Sequence, residues 1–166
     1  MKRRTFDLLV SMGARIRILN VEQVNGELIG DILVKSSPIR GGVIEKETTA
    51  ALIDEIPVLA VLGAAEEGLT IRDARELRIK ETDRLATLAE NFRRMGISVE
   101  ELPDGMVIPG RQKFHSAAFD SFGDHRIAMA FAVAALRADG ESVIENAEAA
   151  AVSFPEFFTT LREVAV

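Results

Sequence analysis

Cysteine is absent from all 166 residues, which excludes disulfides and a thiol nucleophile and fits a reducing cytoplasm. Histidine is nearly absent: His115 and His125 are the only two, and without ligand spacing no metal site is expected. Long hydrophobic runs are missing too. The longest, 56–65 and 127–136, have ten residues each, about half of what a bilayer crossing needs. Positive charge is in deficit, with 20 Lys and Arg against 26 Asp and Glu, a net charge of −6. That balance argues against nucleic acid or a membrane surface as the main partner, despite Lys2-Arg3-Arg4. The basic opening before Leu8-Leu9-Val10 is no signal peptide, because Asp7 interrupts the apolar region and Arg15 closes it early. What is present is globular: 48% apolar and 28% charged residues, enough for one domain with a real core.

In chain order, 3–12 reads as a helix with Phe6, Leu9 and Val10 inward, stopped at Met12-Gly13. That helix starts with the chain, so a fragment of a longer protein is expected. Alternation predicts strands at 15–19 and 28–34, joined through Asn25-Gly26, with a short strand at 43–44. A helix is predicted over 49–67, its second half apolar on every side and therefore buried; Pro57 favours a regular start near Asp54. After a strand at 69–72 comes a loop, then a helix through Leu85, Leu88, Ala89, Phe92 and Met95. The order then recurs: Met95-Gly96, strands at 97–101 and 106–108, and an apolar helix over 127–136. A strand at 142–145 and a last helix with Phe157, Phe158, Leu161 and Val164 inward complete it. Gly68 and Gly140 are 72 residues apart, as are Glu76 and Glu148. The chain thus reads as two copies of one α/β unit, about 3–81 and 82–166, in a single lobe.

Chemistry gathers where helices begin. Lys80-Glu81-Thr82-Asp83-Arg84 heads the middle helix, with Thr82 or Asp83 as N-cap. Cations oppose the partly positive helix start by roughly 0.3–1 kcal/mol each, so an offsetting anion is implied. That anion is either a ligand or simply the neighbouring Glu81 and Asp83. Asp54 stands before one buried helix, and Gly123-Asp124-His125-Arg126 before the other, with Asp124 as a plausible cap. If the helices lie parallel, Lys80, Arg84 and Arg126 face one space together with Asp54 and Glu81, a setting suited to phosphate and carboxylate. The plainer alternatives are that Arg126 pairs with Asp124 or Glu81, that His125 packs, and that His115 lies in a surface loop.

Leu77-Arg78-Ile79-Lys80-Glu81-Thr82-Asp83-Arg84-Leu85 and Gly123-Asp124-His125-Arg126-Ile127-Ala128-Met129-Ala130-Phe131, in this order, resemble the enolpyruvylshikimate-phosphate synthase family. Asp54-Glu55-Ile56-Pro57 and Ser153-Phe154-Pro155 also resemble it. The resemblance implies an inside-out α/β barrel lobe, made of repeated units with buried parallel helices and outward-facing sheets, in a two-domain enzyme. It implies cofactor-free transfer of the enolpyruvyl group of phosphoenolpyruvate to the 5-hydroxyl of shikimate 3-phosphate, a step of aromatic amino acid biosynthesis that glyphosate inhibits. By motif position, Asp54 matches the carboxylate that binds the ring and takes the hydroxyl proton. Lys80 matches a shikimate-phosphate ligand, and Glu81 the proton donor to the methylene carbon. Arg84 and Arg126 match the clamp on phosphoenolpyruvate. One departure stands out: Val152 occupies the position of a lysine that in many members contacts phosphoenolpyruvate.

The resemblance further implies a missing N-terminal lobe as partner and little activity without it. Two other readings remain: the same-fold UDP-N-acetylglucosamine enolpyruvyl transferase, and a non-catalytic lobe that is a structural or anion-binding remnant.

Overall fold

The computed structural model describes residues 3–165; Met1, Lys2 and Val166, from the basic opening and the far end of the expected lobe, lie outside the described residues. The chain forms two compact units, one up to Arg40 and one from Gly41 onward.

In the first unit, helix α1 (Arg3–Ser11) precedes an antiparallel hairpin of β1 (Arg15–Val24) and β2 (Glu27–Lys35). Asn25 and Gly26 both take positive φ, 51° and 86°, as a tight hairpin turn requires. Ile18 faces Ile32 and Ile16 faces Val34, with a register shift between Leu19 and Glu22. The inward face of α1 differs from expectation. Val10 is exposed, whereas Thr5 and Met12 are buried, because the helix turns its Thr5 side inward.

The second unit opens with β3 (Gly42–Ile44), α2 (Lys46–Ala51) and α3 (Ile56–Ala65). The single helix expected over 49–67 is therefore two. Pro57 lacks an N–H and settles into the first turn of α3, while the break between the helices buries Leu52 and Ile53. Strand β4 (Leu69–Ile71), a 3-10 helix (Arg75–Ile79) and α4 (Arg84–Arg94) follow, then the hairpin β5 (Glu100–Leu102) and β6 (Gly105–Ile108). Residues 97–99 stay out of the predicted strand. The Gln112 side chain satisfies Ser98 instead, accepting from its N–H at 2.7 Å and donating to its carbonyl at 3.0 Å. The chain closes with β7 (Ala118–Asp120), α5 (His125–Ala135), β8 (Val143–Glu145), a second 3-10 helix (Ala147–Val152) and α6 (Phe157–Val164). Strand β7 is a pairing that its polar surroundings did not announce. Helix α6 was expected to turn four apolar residues inward, yet it buries none; Val164 is 71% exposed.

Strands β3, β4, β6 and β5 form one sheet in that order, with β3–β4 parallel and the other pairs antiparallel. Strands β7 and β8 form a parallel pair of their own. The architecture is α/β. Helix α3 is buried along nearly its whole circumference and packs on α5, which in turn packs on α4. Rings of Phe92 and Phe119 each lie 5.3 Å from that of Phe131 and knit α4, β7 and α5 together. The order helix, antiparallel hairpin, strand, buried helix, parallel strand, 3-10 helix runs through 3–79 and again through 84–152.

Candidate active site

Arg84 is the first residue of α4, and its side chain is 1% exposed. Asp83 before it is the N-cap, accepting from the Ala86 N–H at 3.0 Å; of the two caps the sequence allowed, the aspartate is used. A buried guanidinium at a helix start is doubly unfavourable unless carboxylates surround it. Three do. Nε donates to Asp124 at 2.7 Å, one terminal nitrogen to Asp54 at 3.3 Å, and the other to Glu81 at 2.5 Å.

Those carboxylates come from different elements. Asp54 lies in the turn just before α3, and Asp124 is the N-cap of α5. The heads of α3, α4 and α5 therefore meet at one guanidinium. Asp124 is wholly buried and serves two helices at once: Oδ1 accepts from the Arg126 N–H at 2.8 Å, while Oδ2 takes Arg84 and, at 3.2 Å, the Thr82 hydroxyl. Burial pushes its carboxyl up, but the hydrogen bond and charge of Arg84, with the Arg126 amide and Thr82, outweigh this and hold it below the usual carboxylate range.

The remaining expected residues lie around this centre. Lys80 Nζ is 3.9 Å from Asp54 and bonds to Glu76. Glu81 is about half exposed and keeps its second oxygen 3.8 Å from His125 Nδ1. Arg126 sits in the first turn of α5, and its Nε is buried without a hydrogen-bond partner among the described residues. His115 is an exposed loop residue, with Nδ1 2.9 Å from Asp139. Val152 ends the second 3-10 helix and is 79% exposed.

Asp54, Lys80, Glu81 and Arg84 are thus brought together directly, and Arg126 is tied to them through the backbone bond to Asp124. The plainer reading, in which Glu81 and Asp83 neutralise Lys80 and Arg84, describes half of the arrangement: Glu81 does hold Arg84, but Asp83 pairs with Arg78 at 2.8 Å. Sequence reasoning missed the second function of Asp124. Capping was legible from its position, whereas nothing local announces a bond across 40 residues to Arg84. It also missed Arg78, which donates to Asp83, Glu101 and the carbonyls of Leu102 and Pro103 and so straps the β5–β6 hairpin to the loop preceding α4. Burial lowers the affinity of Arg78 for its proton, but Asp83 and Glu101 raise it by more. Chemically, the cluster offers two partly exposed carboxylates within reach of solvent, one lysine, and two arginines at helix starts. That set can hold anions and exchange protons beside them. Among the described residues no group of three or more His, Asp or Glu could hold a metal ion, and no helix is long and apolar enough to cross a membrane.

Comparison with known proteins points one way. The profile of the family described as EPSP synthase (3-phosphoshikimate 1-carboxyvinyltransferase) matches residues 3–161. A curated 3-phosphoshikimate 1-carboxyvinyltransferase from Solibacter usitatus (strain Ellin6076) is 72% identical over 160 residues, which is 96% of this chain and 38% of that protein. Its namesake from Koribacter versatilis (strain Ellin345) is 53% identical over 159 residues, 95% of this chain and 37% of its own. A solved EPSP synthase from Acinetobacter baumannii superposes with a TM-score of 0.90 at 33% identity, covering 98% of this chain and 38% of that one. The chain thus spans well under half the length of these relatives. With both motifs folded into one cluster and the match running almost end to end, the chain belongs to the EPSP synthase family.

Proposed function

We propose that this chain is part of an enolpyruvyl transferase that joins phosphoenolpyruvate to the 5-hydroxyl of shikimate 3-phosphate and releases phosphate, in aromatic amino acid biosynthesis. The observation that carries the reading is the convergence of three helix heads on Arg84, with Asp54 and Glu81 on either side of it. Asp54 takes the proton of the attacking hydroxyl, whose oxygen bonds to C2 of phosphoenolpyruvate. Glu81 delivers a proton to C3, giving a tetrahedral ketal. Loss of a proton from C3 and of phosphate from C2 then restores the double bond. Lys80 holds the shikimate 3-phosphate, and Arg84 and Arg126 hold phosphoenolpyruvate. The buried, unpartnered Nε of Arg126 supports its part, because a donor without an acceptor suits an incoming anion. The two carboxylates supply acid–base chemistry at separate points, and the cations supply charge where phosphate leaves. No cofactor is required, and the acidic, cysteine-free composition fits a cytoplasmic setting.

The rest of the enzyme completes the site. Titration with shikimate 3-phosphate, with and without the complementary part of the Solibacter relative, tests this. Alone, the chain is expected to show negligible product formation and at most weak anion binding. With the complement, turnover should appear and should fall at least a hundredfold in Glu81→Gln. Turnover unaffected by Glu81→Gln, or no turnover in the assembled pair, would count against the assignment.

A further inference from the structure

Lys80 and Glu81 stand between a 3-10 helix that ends at Ile79 and α4, which starts at Arg84. Among the described residues, neither they nor Thr82 make a backbone–backbone hydrogen bond. Side chains hold the stretch instead. On one side, Lys80 reaches Glu76 and Asp54, Glu81 reaches Arg84, and Thr82 reaches Asp124. Asp54 and Arg84 are groups that the proposed reaction uses, so the ties to them loosen when substrate takes their place.

The remaining ties run through Arg78. One terminal nitrogen donates to Asp83 Oδ2 at 2.8 Å and to Glu101 at 3.0 Å. Its Nε donates to the Pro103 carbonyl and the other terminal nitrogen to that of Leu102, each at 2.7 Å. Asp83 can serve here because its other oxygen, Oδ1, caps α4, accepting from the Ala86 N–H. The Arg78–Asp83 bond thus closes residues 78–83 into a loop that carries both Lys80 and Glu81. The bonds to 101–103 seat that loop on the β5–β6 turn, whose Asp104 carbonyl also accepts from the Ala74 N–H at 2.7 Å, just before the 3-10 helix. None of these partners is a group that the reaction uses. Four acceptors around one planar head call for arginine, since a lysine has three hydrogens and no fork.

We propose that Arg78 is a positioning residue of the transferase: it closes the 78–83 loop and seats it on the β5–β6 turn, so that Lys80 and Glu81 stay in place while their ties to Asp54 and Arg84 are exchanged for substrate. The inference rests on the roles given above to Lys80 and Glu81. Reacting groups displaced by about 1 Å can lose roughly a hundredfold in rate. Partly exposed ion pairs contribute little to stability, so the effect of Arg78 belongs to placement more than to folding. Arg84 and Arg126 are fixed differently, through Asp124, and their hold on phosphoenolpyruvate does not depend on Arg78.

Two substitutions separate the closing bond from the seat. Arg78→Met removes all four bonds, whereas Asp83→Asn removes the carboxylate that Arg78 holds and keeps an oxygen to cap α4. In the chain assembled with the complementary part of the Solibacter relative, each should lower kcat about tenfold or more and leave the KM for phosphoenolpyruvate within about twofold. The double variant should be no slower than Arg78→Met alone, as expected when both changes break one bond. Arg78→Lys should not restore the rate. A second readout needs no turnover. The absence of cysteine lets Ile79→Cys carry a single nitroxide at an 81% exposed position inside the loop. Either substitution should make that label tumble about twofold faster or more in the chain alone. A kcat that survives the substitutions, with or without a lower thermal transition, would reduce Arg78 to a structural tie and overturn the proposal, and so would an unchanged label. If the unsubstituted assembly shows no turnover, the transferase reading falls, and the label alone decides whether Arg78 holds the loop.

Discussion

Replacing Arg84 with methionine removes a positive charge that faces the buried carboxylate of Asp124. Breaking a buried pair from one side costs roughly 3–5 kcal/mol, because the orphaned charge stays behind. Arg84→Met should therefore lower the urea midpoint far more than Lys80→Met, whose head lies on the partly open side of the cluster. Acid titrates the same centre. Asp124 has its carboxyl lowered on folding, so it stabilises the fold in full above its unfolded value of about 3.9. The contribution is lost as pH falls through the lower, folded value. Denaturation curves should show stability holding down to about pH 4 and dropping below it, with a shallower drop in Asp124→Asn, which keeps a competent cap but not the charge. Asp139, lowered by the Ser116 amide and His115, feeds the same acid limb, so the drop should shrink without vanishing. At this scale the sequence was a fair guide to which residues matter and a poor one to their partners. Lys80 and Arg84 were marked by sitting where a helix start disfavours cations, and Glu81 by standing between them. The Asp124–Arg84 bond is a product of packing, which no local pattern encodes.

Between elements, contact distance decides what is tolerated. Gly105 opens β6 where it crosses β4, and a Cβ there would lie 1.9 Å from the Ile71 carbonyl oxygen. Gly105→Ala must push the β5–β6 hairpin off β4. It should cost at least the upper end of the roughly 1–3 kcal/mol typical of overpacking, with hydrogen exchange rising first at 105–108. Legibility at this scale followed the strength of the periodic signal. Helix α4 and the hairpin through Asn25-Gly26 were readable because amphipathic spacing and turn chemistry agreed with the final packing. The break between α2 and α3 was half legible, since Pro57 announced a start but nothing announced a stop at Ala51. Strand β7 was illegible, being three residues long and fixed from outside by the Asn91 amide, which accepts from the Asp120 N–H at 3.0 Å and donates to its carbonyl at 2.8 Å.

For the molecule as a whole, recurrence is the informative property. Spacings between glycines hinted at it, but the sense of strand pairing states it better: antiparallel for β1–β2 and β5–β6, parallel for β3–β4 and β7–β8. Backbone geometry repeats as well, with left-handed residues directly after β8 and two residues beyond β4, at Asn146 and Asp73. Such a plan brings helix heads together at one end, so a site can be built from first turns without any long loop. It also explains why composition alone said little about function, since the acidic total conceals a local gathering of cations. A guanidinium has five hydrogens to give, and in Arg84 three of them already point at Asp54, Glu81 and Asp124. Two hydrogens are left for an arriving anion, which would share the guanidinium with three carboxylates already seated on it. Those neighbours offset much of its charge, which makes Arg84 better at choosing between guests than at attracting them.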